Sequence, residues 1–310
     1  MHSLVAAPDT VQWGFYDASV PPVLTVASGD LLHVQTEPPA PREILSVLEP
    51  RASAAFRQIV AAGRSGPSSH LLNGPVAVQG ARPGDALEIS FEHIALRYDW
   101  GFNTILPLKG ALADEFPVCR PLIVELDRKT GTGSWGSGLR VPLAPFFGNV
   151  GVAPAPALGR VPSGLPGPWG GNLDNKELVS GTRLFLPVFN DGALLSIGDG
   201  HACQGDGEVD SFALETGLDA RLRLTLHPGR HLDRPRAETP THYIFMGLDP
   251  ILDDAAKDAL RQTLRFLVDE QGLGREDAYA LCSLAVDLRV TQIVNGTKGV
   301  HAMLARSLLR

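Results

Sequence analysis

Apolar and polar side chains alternate most clearly in Leu218-Asp219-Ala220-Arg221-Leu222-Arg223-Leu224-Thr225-Leu226. In an extended chain the leucines at 222, 224 and 226 share one face, and the polar side chains between them share the other. This alternation predicts a strand with one face in the core and one in water. Elsewhere apolar runs are short and glycines and prolines are plentiful, which favours a strand-rich fold over a helical bundle.

Paired apolar runs on either side of Gly-Asp turns predict β-hairpins. The first hairpin covers residues 22–36 with a turn at Ser28-Gly29-Asp30, and the second covers residues 75–94 with a turn around Pro83-Gly84-Asp85. A fainter third copy covers residues 178–186. We therefore expect a β-structure that is assembled from similar hairpins.

Helices are fewer than strands. Apolar residues at three- and four-residue spacing predict a helix from Ile251 to Val268, and others are predicted at Glu276–Val286 and Ile44–Val60. The Pro-rich stretch from Pro142 to Pro168 has no periodicity and predicts a long ordered loop. The fold class is therefore α+β: β-sandwich-like layers of mostly antiparallel strands with a few covering helices.

Composition and charge exclude several classes of protein. The 310 residues can fill a sizeable core, and because no boundary is evident we expect residues 1–310 to form a single domain. The net charge of -7 argues against nucleic-acid and anionic membrane partners. No apolar run approaches the roughly 20 residues of a membrane span, and residues 1–10 do not resemble a secretory signal. Cys119, Cys203 and Cys282 are expected to be reduced thiols of a cytoplasmic protein.

Residues 198–208 carry the strongest functional signal. They read Gly198-Asp199-Gly200-His201-Ala202-Cys203-Gln204-Gly205-Asp206-Gly207-Glu208, with one imidazole, one carboxamide and three carboxylates between glycines. A packed core would not tolerate so many unpaired polar groups, and glycines let a backbone approach a ligand closely. The stretch therefore predicts a site for a metal ion or a polar small molecule.

A metal site requires carboxylates from more than one segment. Asp206 and Glu208 are predicted to share one face of a strand-like run, and His201 and Asp174 could join them across a neighbouring strand. Nitrogen and carboxylate ligands suit zinc, or calcium if oxygens dominate. Alternatively, these carboxylates only accept backbone N–H bonds in turns. Asp114 is either a further member of this cavity or a residue of a surface turn.

Two other motifs have simpler interpretations. Residues 131–136 match the dinucleotide fingerprint G-x-G-x-x-G, but Pro142 and Pro145 follow where the required helix would begin. A hairpin loop is the better interpretation. Cys203 lies near His201 and could act as a nucleophile, but a small buried cysteine explains it more simply.

Several stretches make the chain resemble the acetamidase/formamidase family. In chain order they are Gly74-Pro75-Val76 with Pro83-Gly84-Asp85, residues 106–110, residues 145–154, residues 170–174, Leu186-Pro187-Val188 with Gly192-Ala193-Leu194, residues 198–208 and residues 287–294. The resemblance implies hydrolysis of short aliphatic amides to a carboxylate and ammonia, a divalent metal (zinc or calcium) and homo-oligomers. It also implies a strand-rich sandwich with helices between layers. The chain departs from the family pattern at Cys203, where alanine is usual, and in residues 41–63.

Together these observations predict a metal-dependent hydrolase of small neutral amides. Glu208 is the predicted general base, and Asn172 and Gln204 are predicted to hydrogen-bond the substrate carboxamide or the oxyanion. The predicted metal ligands are Asp174, His201 and Asp206.

Other functions stay open at this point. The same metal could serve a different substrate, such as pyrophosphate or a carbamoyl compound, or the chain could bind a metal or small molecule without catalysis. Arg or Lys side chains in the pocket would favour an anion, whereas an apolar wall would favour a neutral amide. Five aromatic residues either enclose a small pocket or pack in the core: Trp100, Phe102, Phe146, Phe147 and Trp169.

Overall fold

The computed structural model describes residues 1–136 and 138–309, in which strands predominate and most strand pairs are antiparallel. In chain order the strands are β1 (His2–Val5), β2 (Val11–Trp13), β3 (Phe15–Tyr16), β4 (Leu24–Val26), β5 (Leu31–Gln35), β6 (Leu71–Val78), β7 (Ala86–Leu96), β8 (Trp100–Ile105), β9 (Arg120–Asp127), β10 (Thr132–Trp135), β11 (Leu139–Pro142), β12 (Phe146–Gly151), β13 (Val161–Pro162), β14 (Gly170–Asn172), β15 (Arg183–Pro187), β16 (Leu195–His201), β17 (Glu215–Thr216), β18 (Leu218–His227), β19 (Arg236–Glu238), β20 (His242–Asp249), β21 (Val286–Gln292) and β22 (Lys298–Ala305).

The helices are short, apart from two near the C-terminus. The α-helices are α1 (Leu45–Leu48), α2 (Ala54–Ala62), α3 (Leu252–Arg265) and α4 (Arg275–Ala285). A π-helical turn, Phe266–Glu270, extends α3, and 3-10 turns cover Arg42–Ile44, Glu49–Arg51, Pro156–Leu158 and Arg306–Leu308.

Two large sheets pack face to face. Within the described residues, sheet 1 has the strand order β1-β5-β18-β7-β15-β19-β20-β22-β21. Sheet 2 has the order β11-β10-β9-β8-β17-β16-β12-β14, and β6 joins it through β16 and pairs with β2 and β4. The main hydrophobic core draws side chains from both sheets, including Leu222 and Leu224 of sheet 1 and Val150 and Ile197 of sheet 2. The predicted sandwich of mostly antiparallel strands is therefore confirmed.

The alternating stretch at 218–226 forms most of β18. Leu218, Leu222 and Leu224 are buried in the core, whereas Arg221 is exposed, as the alternation predicts. β18 pairs with β5 on one side and with the long strand β7 on the other, so it lies inside sheet 1. The physical reason is the period of two, which places every second side chain between the sheets.

The predicted hairpins are wrong, although their strands exist. β4 joins β6 in sheet 2, whereas β5 joins β1 and β18 in sheet 1, so the turn at residues 28–30 connects the two sheets. The turn near residues 83–85 likewise connects β6 of sheet 2 to β7 of sheet 1. In the third copy only β15 is a strand. Two apolar strands that flank a turn can be buried equally well when the turn connects one sheet of the sandwich to the other.

The Pro-rich stretch is also not a loop throughout. Its residues 146–151 form β12, in which all six residues are buried, and β12 pairs with β14 and β16. A strand that is covered on both faces shows no alternation, which is why the sequence pattern did not reveal it. Residues 132–135 and 139–142 do form a hairpin, in agreement with the rejection of a dinucleotide site.

The helices cover outer faces of the sandwich instead of lying between its layers. Helices α3 and α4 pack on one face of β20 and β22 in a separate cluster that includes Phe245 and Ala259. Ile244, on the opposite face of β20, belongs to the core between the sheets. Gly247 of β20 allows this contact, because a Cβ there would lie 2.0 Å from the carbonyl oxygen of Ala255 in α3. The expected helices between layers are therefore wrong for this chain.

The predicted helix at Ile44–Val60 is divided. Pro50 and the extended residue Ala52 separate α1 from α2, and Ser53 caps α2 by accepting a hydrogen bond from the N–H of Phe56. The segment packs through Ile44 and other apolar side chains on sheet 2, in a cluster with Trp100 and Leu71. In residues 1–136 and 138–309, no helix combines the length and apolar character that a membrane crossing needs.

Candidate active site

A cleft with a volume of about 630 Å³ opens on sheet 2. Its floor includes Asn172 of β14, Asp199 of β16 and Glu215 of β17, three strands that lie close together in the sheet order. Glu208, on the loop after β16, and His70, just before β6, also line the cleft. The cleft therefore gathers ionisable side chains from segments that are distant in the sequence.

Buried acids and one imidazole meet at this floor. Ligand-type atoms of Asp174, Asp199 and His201 lie within 4.8 Å of one another, and so do those of His201, Glu208 and Glu215. His201 Nε2 is 3.5 Å from Asp199 Oδ2 and 3.4 Å from Glu215 Oε2. The pairing of β16 with β17 sets His201 directly opposite Glu215. We call these five residues the acidic floor.

Several atoms of the acidic floor are buried without a hydrogen bond. Within the described chain, Asp174 Oδ1, Glu215 Oε2 and both ring nitrogens of His201 have no hydrogen-bond partner. Unsatisfied buried polar groups are rare in proteins and costly, by about 1–3 kcal/mol each. Carboxylate oxygens with an imidazole nitrogen are a donor set that divalent cations accept. The residues present therefore fit a bound metal ion.

Gly148 of β12 makes room for this cluster. A Cβ at residue 148 would lie 2.5 Å from His201 Cε1, 2.7 Å from Asp199 Oδ2 and 2.8 Å from Asp174 Oδ1. Any side chain would therefore displace the acids, so glycine is needed here for space and not for its backbone angles.

The backbone of the acidic floor is strained. Asp174, Asp199 and Glu208 have φ angles of 48°, 59° and 47°, in the left-handed region that non-glycine residues rarely adopt. Such residues cost roughly 1–3 kcal/mol each and occur mainly where surrounding structure holds a functional group in place. Three of the four carboxylates of the floor are therefore held in position at a cost in stability.

Burial makes three of these carboxyl groups unusually weak acids. It raises the pKa of Asp174 to about 7 and that of Glu215 to about 7, and it raises the pKa of Glu208 well above the ordinary value. The negative charge on Asp199 adds to all three shifts. The floor therefore holds more carboxyl groups than it can keep ionised without a cation.

The fourth carboxylate and the imidazoles behave differently. Burial alone would raise the pKa of Asp199, but the charges of His70 and His201 outweigh it and lower that pKa. Burial would lower the pKa of His201, but Glu215 and Asp199 outweigh it and raise that pKa. Burial lowers the pKa of His70. The pKa values of Asp199 and His201 thus move against the direction that burial alone would give.

Carboxamides hold the acids in place. Asn172 Nδ2 and Asn295 Nδ2 donate to Asp174 Oδ2 at 2.8 and 3.1 Å, which leaves Oδ1 of the same carboxylate free. Asn149 Nδ2 donates to Asp199 Oδ2 at 3.2 Å and to Asn172 Oδ1. These bonds fix which oxygen of each carboxylate faces the centre of the site.

His70 is oriented by the same network. Its Nδ1 lies 3.0 Å from Asn149 Nδ2 and 3.0 Å from Ser163 Oγ. Its Nε2 lies 3.8 Å from Asp199 Oδ2. A second imidazole thus faces the floor.

The structure brings together four of the six residues singled out from the sequence. Asp174, His201 and Glu208 belong to the acidic floor, and Asn172 lines the cleft. Gln204 lies behind the floor, where its Nε2 donates to the Asp174 carbonyl oxygen at 2.8 Å.

Asp206 is not part of the cluster. Its Oδ1 pairs with Lys176 Nζ at 3.0 Å on the exposed surface. The assumed strand after Gly205 is a loop in which Asp206 points to solvent and Glu208 is buried, so these residues do not share a face. Asp114 is exposed in a turn, which is the simpler of its two interpretations.

Sequence reasoning missed Asp199, Glu215 and His70. Asp199 lies in the stretch 198–208, and its position between two glycines is a sequence signal for a site residue. Glu215 and His70 have no local signature, because only strand pairing brings them to the cleft.

The aromatic residues and Cys203 have structural roles. Trp100, Phe102, Phe146 and Phe147 are buried in strands β8 and β12, and Trp169 is buried just before β14. Phe146 stacks edge-on against His201 with ring centroids 5.0 Å apart, which supports the imidazole. Cys203 is partly buried against the core, and burial raises the pKa of its thiol.

The chain belongs to the acetamidase/formamidase family, whose sequence profile matches residues 16–162 and 165–304. An acetamidase from Bacillus halodurans, known as a crystal structure, is 31% identical, with 99% of this chain and 98% of that chain covered and a TM-score of 0.85. A predicted acetamidase/formamidase from Thermoanaerobacter tengcongensis is 26% identical, with 99% and 96% covered and a TM-score of 0.87.

A curated acetamidase from Mycolicibacterium smegmatis is 28% identical over 207 residues, which cover 48% of this chain and 51% of that protein. The chain thus spans about half the length of this curated relative.

Proposed function

We propose that the chain hydrolyses amides of short aliphatic acids and that a divalent cation, zinc or calcium, bound at the acidic floor supports the reaction. Water adds to the amide carbonyl carbon, the C–N bond breaks, and the products are a carboxylate and ammonia. Family membership supports the amide substrate. The observation that carries the cation is the set of buried donor atoms without partners on Asp174, His201 and Glu215.

The residues that would hold the cation are those whose ligand atoms converge. Asp174, Asp199 and His201 form one such group and are the proposed ligands, and on the other side of His201 the ligand atoms of Glu215 and Glu208 also converge. When bound, the cation would polarise the amide carbonyl and lower the pKa of water. Asp206, which pairs with Lys176 at the surface, has no place in this set.

Glu208 is the proposed general base. It lines the cleft and is buried. The N–H of Ser211 donates to the Glu208 carbonyl oxygen at 2.9 Å, which anchors the loop that carries Glu208. An Oε atom of Glu208 can take a proton from the attacking water and return it to the departing nitrogen. Since nitrogen leaves as ammonia only after it gains a proton, one carboxyl group can serve both steps.

Asn172 and His70 are proposed to position the reacting groups. Asn172 Nδ2 donates to Asp174, so Asn172 is proposed to orient this carboxylate instead of binding the substrate directly. His70 lines the cleft, and when its Nε2 carries a proton it can donate a hydrogen bond to a substrate oxygen. Gln204, which supports the Asp174 main chain, acts behind the site.

Ammonia release from formamide, acetamide and propionamide tests the proposal. The purified protein is assayed as isolated, after dialysis against a chelator, and after return of zinc or calcium. We expect release that the chelator abolishes and one of the two ions restores. Tight metal binding with no ammonia from any amide would favour the non-catalytic binding protein and contradict the proposal.

Replacing Glu208 by Gln separates its two possible roles. We expect Glu208→Gln to retain bound metal while turnover falls by about 10²–10⁴-fold, the range for a general base. Unchanged turnover with retained metal would remove Glu208 from the reaction, and loss of metal would make it a ligand instead.

A further inference from the structure

The cleft is much larger than the smallest amides require. Its volume of about 630 Å³ falls within the roughly 300–1,000 Å³ of pockets that hold drug-sized ligands. Only the floor holds the acids of the proposed reaction. The rest of the cleft lining, which we call the upper wall, is therefore available to bind a part of the substrate that does not react.

Two cations line this upper wall. Arg42, in the 3-10 turn before α1, and Lys109, in the loop after β8, both line the cleft. In the parts of the chain that the structure describes, neither has a carboxylate within 4.0 Å, although Arg42 Nη2 donates to Ser65 Oγ. Cations that are free of acidic partners in a cleft can bind an anionic group of a ligand.

The chain segments that carry the two cations pack against the same hydrophobic cluster. Ala40 and Leu106, near them in the sequence, are buried in the same hydrophobic cluster. The Lys109 loop is also tied to the segment after Glu208, because Gly110 N–H donates to Ser211 Oγ at 3.0 Å.

We propose that the preferred substrates are aliphatic amides that carry a carboxylate at the far end, with the amide at the acidic floor and the carboxylate near Lys109 and Arg42. This inference rests on the proposed amide hydrolysis and specifies its substrate class. The polarity of the cleft supports it, because the acids lie at the floor and the free cations lie along the wall. Glu43 also lines the wall and opposes binding of an anion.

Matched substrate pairs test this preference. Succinamate and glutaramate are compared with butyramide and valeramide, which have the same chain lengths without the carboxylate. We expect kcat/KM for the carboxylate-bearing amides to exceed that of their neutral partners by at least about tenfold, the worth of one charge-assisted hydrogen bond. Succinate should also inhibit more strongly than butyrate, which provides a binding measurement independent of turnover.

Charge-removing variants identify the wall residues. Lys109→Met combined with Arg42→Met should lower the succinamate-to-butyramide ratio of kcat/KM at least about tenfold, and Glu43→Gln should raise the ratio. Lys129→Met, on an exposed turn away from the cleft, should leave the ratio as in the wild type. A merely structural effect would change both substrates equally.

The outcomes separate the two proposals. If neutral amides release ammonia but succinamate and glutaramate are not preferred, or if the double variant keeps the wild-type ratio, the substrate class is wrong and amide hydrolysis stands. If no amide releases ammonia, both proposals fail.

Discussion

Two of the regions that bury charged side chains treat them in opposite ways. Around Arg236 of β19, acids and guanidinium groups form ion pairs: Arg236 Nη1 lies 2.5 Å from Glu270 Oε1, and Glu238 Oε2 lies 2.5 Å from Arg183 Nη2. The Arg236 guanidinium also packs 5.0 Å from the ring centre of Phe266. This region balances its charges with groups of its own chain.

At the acidic floor, four carboxylates converge on the single imidazole of His201. Buried donor atoms lack partners there, and three acids hold left-handed backbone angles. Burial of charged side chains therefore does not by itself indicate a functional site. A functional site is indicated where like charges are buried together and their oxygen or nitrogen atoms without hydrogen-bond partners converge on one centre.

The largest effect should come from breaking the balanced region. Arg236→Met leaves part of the Glu238 and Glu270 charge uncompensated, so we expect a loss of about 3 kcal/mol in the free energy of unfolding. Urea denaturation measures it, and ammonia release per folded molecule should be unchanged. Arg221→Met is the matched control: its pair with Glu92 is half-exposed, so the loss should be under about 1 kcal/mol. Equal losses in the two variants would contradict the contrast.

Crowding the acidic floor should remove function with little effect on the fold. The Cβ of Gly148→Ala enters the space between Asp174, Asp199 and His201, so we expect turnover to fall about 100-fold and bound metal to be lost. Gly205→Ala is the control, because a Cβ there meets no atom within 4 Å. Wild-type turnover in Gly148→Ala would place the reaction elsewhere.

The metal-free protein should become less stable as the pH rises. Burial raises the pKa of both Asp174 and Glu215 to about 7, while unfolded Asp and Glu titrate near 4. Between about pH 4 and 7 the folded state therefore binds more protons than the unfolded state, so stability falls through this window. These two groups lose about 5 kcal/mol between pH 5 and 8, and His301, whose pKa burial lowers to about 4, regains about 2 kcal/mol. We therefore expect a net loss of roughly 3 kcal/mol, measured by urea denaturation. Saturating metal should abolish it, and a metal-free protein that gains stability over this range would refute the assignment.

A single neutral replacement should produce the smallest effect. Asp174→Asn removes one of the crowded charges, so the metal-free variant should be about 1 kcal/mol more stable than the metal-free wild type at pH 8. The same variant should bind metal more weakly. Destabilisation of the metal-free variant would mean that the Asp174 charge has a partner of its own.

The sequence reveals which faces are buried more reliably than which strands are neighbours. The alternation at residues 218–226 predicted β18, because a period of two reflects one solvent-exposed and one buried face. The same rule gave no information on β12, which is buried on both faces. It also could not show that β4 and β5 belong to different sheets.

The site follows the same division. Asp174, His201 and Glu208 could be singled out because charges between glycines are improbable in a core. Glu215 reaches the floor only through its pairing opposite His201, and Asp206 was misplaced because the chain turns after Gly205. Residue type identified the chemistry, whereas tertiary pairing decided which groups meet.

We propose that a divalent cation completes the unpaired groups of the acidic floor. The decisive experiment is a stoichiometric titration of the chelator-treated protein with zinc or calcium, followed by calorimetry and by thermal unfolding. We expect saturation at one bound ion per site, a rise in Tm, and loss of both in Gly148→Ala but not in Gly205→Ala. Absence of binding together with an unchanged Tm in the wild type would contradict it.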